Sequence, residues 1–183
     1  MSPGKFTEDQ LVEQPAIDLL NGLGWTRVNA LQEKLGSEGT LGRDNQGEVI
    51  LVRHLRRALE RLNLALSPSA LEQAIAEVVK DRSAMDPVRA NRELYDLIKD
   101  GIQVEVRNED GSKELERVRV LDWIDPTANE FLLVSQFWVT GEMYRRRADL
   151  VGFVNGLPLL FVELRCCVSR SRVWRSVILM PLG

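Results

Sequence analysis

Apolar positions in the first half of the chain recur at helical spacing. Thr7 and Gln10 form a capping-box pair, and Val12, Ala16, Leu19, Leu20 and Leu23 then predict a first helix that ends at Gly22 and Gly24. Pro15 lies too deep for a first-turn proline in that frame, so a kink or a late start is expected. Residues 33–47 hold Gly36, Gly39, Gly42 and Gly47 and read as a flexible loop. A second helix is predicted from about Glu48, with Val52, Leu55, Leu59, Leu62 and Leu66 at alternating steps of three and four. Ser67-Pro68 opens a third, with the stripe Leu71, Ile75, Val78 and Val79. Asp86-Pro87 opens a fourth, which carries Leu94, Leu97 and Ile98 and stops by Gly101.

Beyond Gly101 the period changes to two. Ile102, Val104 and Val106 alternate with Gln103, Glu105 and Arg107, and Asp110-Gly111 supplies turn chemistry. Val118 and Val120, alternating with Arg117 and Arg119, are the partner strand. Residues 122–129 are a polar break, and residues 131–139 another strand. Residues 149–164 are apolar on both faces except at Asn155-Gly156, which predicts two central strands joined by a tight hairpin. The fold class is α+β, helices first and then a mainly antiparallel sheet.

Composition narrows the setting. At 183 residues, 44% of them apolar, the chain suits one domain with a real core and is not a disordered tail. No apolar run is long enough to span a bilayer, and the N-terminus lacks the apolar stretch of a signal peptide, so no membrane contact and a cytoplasmic location are expected. Cys166 and Cys167 are adjacent and His54 is the single histidine, so a Cys/His zinc site is excluded. A bound metal would need oxygen ligands, which points to Mg²⁺ or a relative.

Two charges interrupt the apolar hairpin: Asp149 near the start of its first strand and Glu163 near the end of its second. Buried carboxylates are costly unless paired or metal-bound. A strict two-residue turn at Asn155-Gly156 sets Asp149 opposite Val162, with Glu163 on the other face. A three-residue loop over 154–156 sets Asp149 opposite Phe161, with Glu163 its diagonal neighbour roughly 7–8 Å away on one face. In that second register the two carboxylates can share one divalent cation, and Arg165 lies on the same face.

The run RRRADLVGFVNGLPLLFVELR resembles the PD-(D/E)xK nuclease core, in which an Asp and, on the next strand, a Glu-x-Lys form the metal and catalytic site. More narrowly, it is similar to the N-terminal nuclease region of the restriction (R) subunit of type I restriction–modification enzymes. TEDQLVEQPAIDLLNGLGW is similar to that family's opening helix, and the resemblance runs from residue 7 to about 164. It implies that Asp149 and Glu163 hold Mg²⁺ near the scissile phosphate of double-stranded DNA. Glu13 matches a family carboxylate that reaches the same site, and Arg147 a basic position; Arg145 beside it is a further candidate for binding phosphate. Modification and specificity subunits are the implied partners.

The chain departs from the family pattern at Arg165, which stands where the family has lysine. Arginine keeps the charge but handles protons far less readily. Residues 165–183 contain four arginines and no acidic residue, whereas residues 1–164 hold 20 basic and 27 acidic side chains. The family's supporting Gln-x-x-x-Tyr element is missing. Residues 1–164 therefore read as an incomplete nuclease domain, truncated at its C-terminal end, and 165–183 as an atypical basic tail whose abrupt change of composition suggests a shift of reading frame. No G-x-x-x-x-G-K-[ST] segment is present, so ATP binding is implied only for the intact family member. The expected function is Mg²⁺-dependent DNA cleavage in restriction. The alternatives are an inactive remnant that binds DNA or partner subunits and, less favoured by the missing element, a stand-alone PD-(D/E)xK nuclease.

Three further groups carry expectations. Arg53, Arg56, Arg57 and Arg61 are read as a solvent face or subunit contact. His54 is read as non-catalytic. Trp25, Trp123 and Trp138 are read as core or strand-packing residues.

Overall fold

The computed structural model of the chain describes residues 12–107, 111–141 and 144–164. Its elements, in order, are α1 (Gln14–Gly22), β1 (Thr26–Asn29), α2 (Val52–Leu62), α3 (Pro68–Val79), α4 (Pro87–Asp100), β2 (Ile102–Arg107), β3 (Lys113–Val118), β4 (Phe131–Thr140), β5 (Arg145–Val154) and β6 (Leu157–Val162). One sheet has the order β1-β4-β5-β6, with β1 parallel to β4 and the other pairs antiparallel. β2 and β3 pair apart from it as a two-stranded antiparallel sheet. The fold is α+β and mainly antiparallel, as the periodicity predicts, with its strands divided between two sheets.

Local chemistry accounts for most element boundaries. Ser67 accepts from the Ala70 amide and Asp86 from those of Val88 and Arg89, so α3 and α4 begin where the Ser-Pro and Asp-Pro steps place them. α4 ends at Gly101, whose φ of 79° and closeness to the Val118 carbonyl leave no room for a Cβ. α1 has the late start that Pro15 suggests: it begins at Gln14, so the proline occupies the first turn, where no amide donor is needed. Thr7 and Gln10 lie outside the described residues.

α2 begins at Val52, later than the sequence suggests, because the residues before it have other partners. The Glu48 carboxylate accepts from the Asp44 amide and the Asn45 side chain, and the Leu51 amide donates to the Gly156 carbonyl. β1 is not foreseen at all. Its four residues are mostly exposed and show no alternation, so only pairing with β4 reveals it as a strand.

Three packed clusters hold the molecule together. On one face of the four-stranded sheet, Ile17 of α1 covers Leu133 and Leu150, with Trp25 beside them. On the other face, Leu132, Val134, Phe137, Val151 and Phe153 pack against Ala30, Leu41 and Leu51. The third cluster joins α2, α3 and the β2–β3 pair to Leu157 at the start of β6.

Residues 33–47 are irregular, but the expectation of a flexible loop is corrected by what anchors them. Arg43 forms a two-pronged ion pair with Glu33, at 2.7 and 2.6 Å, with both side chains buried. The same guanidinium donates to the Glu48 and Trp138 carbonyls and stacks on the Phe137 ring. Arg53 adds donors to the carbonyls of Ser37, Gly39 and Thr40.

Candidate functional site

β5 crosses the middle of the four-stranded sheet, and Asn155-Gly156 turns it into β6. Val154 pairs with Leu157 across the turn, and Asn155 and Gly156 have φ of 51° and 81°. This is the two-residue turn with both central residues left-handed that an Asn-Gly pair favours. The three-residue loop that would bring Asp149 opposite Phe161 is therefore not what forms. The register nonetheless shifts, because Phe153 pairs with Pro158 and Gly152 with Leu160, so a bulge absorbs one residue of β6. Pro158 has no amide donor to give the ladder, which suits it to such a place.

The bulge decides the chemistry. Beyond it Leu150 pairs with Val162, and one further step in that register brings Asp149 level with Glu163. The two residues thus fall at one level of adjoining chain segments, a register that neither sequence reading gives. Asp149 is half-buried, and its Oδ2 accepts from the Leu164 amide at 2.8 Å, which extends the β5–β6 contact past the last paired residues. Glu163 is exposed at the end of β6. Among the described residues no group of three or more acidic, histidine or cysteine side chains is gathered closely enough to hold a metal ion.

On the other side of Asp149 lies β4. Ser135 pairs with Leu150 and Phe137 with Ala148, so Gln136 and Asp149 occupy the level between. Gln136 has a φ of 59°, exceptional for a non-glycine residue within a strand. Its Nε2 donates to both carboxylate oxygens of Glu13, at 3.0 and 2.9 Å. Glu13 is the residue immediately before α1, so the helix that covers this face of the sheet also delivers a carboxylate to the Gln136 level. The sequence reading missed Gln136; its one visible signal is a polar Ser-Gln step within an otherwise apolar strand.

The arginines before Asp149 belong to β5 itself, which starts four residues earlier than predicted. Arg145, Arg146 and Arg147 are all exposed. The Arg145 guanidinium lies 4.1 Å from the centroid of the Trp138 ring and that of Arg147 5.6 Å from it, so the indole keeps two cations beside the strand. Arg165, Cys166 and Cys167 lie outside the described residues.

Other expectations divide. Trp25 packs edge-on against Phe131 and approaches Gly152 closely, and Trp138 is half-buried on its strand, as expected. Trp123 is not a core residue: it is 61% exposed in the segment between β3 and β4. Most of the α2 arginines are engaged within the molecule. Arg53 holds the irregular segment, Arg56 pairs with Glu72, and Arg61 donates to the Ala128 carbonyl, while Arg57 is exposed. His54 Nδ1 donates to Glu130 at 2.9 Å, well away in sequence from Asp149.

No helix among the described residues is long and apolar enough to cross a membrane. Residues 5–168 match the family model for the N terminus of type I restriction enzyme R proteins. The endonuclease subunit of the type I restriction enzyme HindI from Haemophilus influenzae is 32% identical over 155 residues, covering 84% of this chain and 14% of that protein. The putative endonuclease subunit of the type I enzyme MjaIXP from Methanocaldococcus jannaschii is 31% identical over 172 residues, covering 88% of this chain and 15% of the relative. The chain thus spans about one seventh of the length of these relatives, and by the extent of both matches it belongs to the family of type I restriction enzyme R proteins, as their N-terminal region.

Proposed function

We propose that the chain is a PD-(D/E)xK endonuclease region that cuts double-stranded DNA with Mg²⁺, working in a type I restriction complex beside modification and specificity subunits. The observation that carries this reading is the β5–β6 register, which leads Asp149 and Glu163 to one level just past the last paired residues, with the Leu164 amide donating to Asp149. The donor chemistry fits the cation: carboxylate oxygens are the ligands Mg²⁺ prefers, and two protein carboxylates leave its remaining positions to water and phosphate. When bound, the ion would polarise the scissile phosphate and lower the pKa of the attacking water.

The protein's own part is positioning. The Leu164 amide fixes Asp149 through one oxygen. Arg145 and Arg147 would engage the DNA backbone beside the cut. Glu13, held by Gln136, stands next to the same level of the sheet. ATP-driven translocation would belong to a larger R subunit than these residues.

The test is supercoiled-plasmid cleavage with Mg²⁺ by the chain and by Asp149→Asn. Nicking by the wild type that falls at least 100-fold in the variant is the expected outcome; equal nicking by both would overturn the proposal. A second reading, a form that binds DNA without cutting, is favoured by Arg165 at the family's lysine position. It predicts DNA binding without nicking by the wild type, and nicking restored by Arg165→Lys.

A further inference from the structure

The backbone at Gln136 poses a question of cost. A left-handed conformation inside a strand is destabilising by roughly 1–3 kcal/mol for a residue with a Cβ, and glycine would remove most of that penalty. The chain keeps glutamine there, between buried Ser135 and buried Phe137. Its side-chain amide donates two hydrogen bonds to the carboxylate of Glu13, which is 123 residues away in sequence.

The irregularity extends to the partner strand. Val134 and Phe137 enter the same cluster although they are three residues apart, and so do Ala148 and Val151 on β5. Regular strands alternate with a period of two, so both have slipped by one residue at the same level. That level is Gln136 with Asp149. A distortion shared by two central strands, centred on the candidate metal ligand and occupied by a residue that clasps a second carboxylate, has the form of a functional constraint.

We infer that Gln136 is a positioning residue: its amide fixes the Glu13 carboxylate beside Asp149, so that Glu13 completes the cation's surroundings through an intervening water. The inference rests on the nuclease reading above and deepens it. Glu13 is given an outer role because it forms no three-membered metal-binding group with the other carboxylates among the described residues. A carboxylate that orients a metal-bound water needs its own orientation fixed, and a glutamine spanning both its oxygens does this without adding charge.

Mn²⁺ titration by calorimetry on the whole chain tests this, with thermal unfolding of the metal-free protein alongside. Gln136→Gly suits the left-handed backbone and removes the side chain with its amide; it should unfold within a few degrees of wild type yet bind Mn²⁺ roughly 10-fold more weakly. Glu13→Gln, which leaves the β4 backbone untouched, should weaken binding to a similar degree, and the double variant no further. Gln136→Asn keeps an amide and tolerates the left-handed region, and should recover part of the affinity. Wild-type affinity in both Gln136→Gly and Glu13→Gln, or simple additivity in the double variant, would overturn the inference while leaving the nuclease reading intact, provided Asp149→Asn abolishes binding. Absence of Mn²⁺ binding by the wild type, or unchanged binding by Asp149→Asn, would remove both.

Discussion

Single side chains decide what the sheet can hold. Gly152 lies three residues after Asp149, and a Cβ there would come within 2.7 Å of the Trp25 ring and 2.9 Å of the Leu160 Cβ. The Leu160 Cβ is fixed by the backbone of β6 and the Trp25 ring is packed against Phe131, so neither can yield cheaply. Gly152→Ala is expected to cost about 1–3 kcal/mol through overpacking, read as a lower urea midpoint with an unchanged slope. Glu130 offers a pH-dependent case. The hydrogen bond from the His54 ring holds its carboxyl below the usual 4.5, helped by the charges of His54, Arg61 and Arg57 and opposed by burial. Folding therefore disfavours protonation of this group, and the stability it contributes is complete above the ordinary glutamate range and lost as pH falls through it and below. Glu130→Gln should lower the thermal midpoint near pH 7, with the gap to wild type closing toward about pH 3. A constant gap across that range would show that the His54 contact has no part in the acid response.

At the scale of elements, the hairpin shows what sequence can and cannot reveal. The Asn-Gly step identifies the turn correctly, because left-handed backbone is a property of those two residues. The bulge at Leu159 is invisible to it, because the bulge arises where Pro158 fails to donate to a neighbouring strand that sequence alone does not place. Asp149 and Glu163 stand out as charges in apolar runs, whereas Gln136 becomes meaningful only once β4 is laid beside β5. β1 escapes for a related reason, since its strand character comes from its partner. The hairpin's hold on the rest is equally specific. Asn155 is fully buried and spends its side chain on the Val120 carbonyl, the Asn129 side chain and the Glu130 amide. Asn155→Ala leaves those groups without a partner in the interior, so a loss of about 2–4 kcal/mol is expected by chemical denaturation. A loss below about 0.5 kcal/mol would mean that water replaces the amide there.

Across the whole molecule, the two faces of the four-stranded sheet are covered by different means. α1 shields one; the other is closed by irregular chain, with Ala30, Leu41 and Leu51 as its apolar contacts. A layer without helix or strand of its own has few ways to stay in place, and the Arg43–Glu33 pair supplies one by tying residue 33 to the backbone of β4 through the Trp138 carbonyl. Both charges are withdrawn from water, so the net worth of the pair is small while the cost of breaking it is large. Arg43→Met strands the Glu33 carboxylate in the interior and should destabilise the protein by about 3–5 kcal/mol. Arg43→Met combined with Glu33→Leu removes both charges and should recover most of that loss, since an apolar pair of similar volume substitutes well for a buried ion pair. Urea unfolding of the two single variants and the double completes the cycle. If the double variant is as unstable as the sum of the singles, the arginine's bonds to the Glu48 and Trp138 carbonyls, rather than its charge, are what close this face over the sheet that carries Asp149.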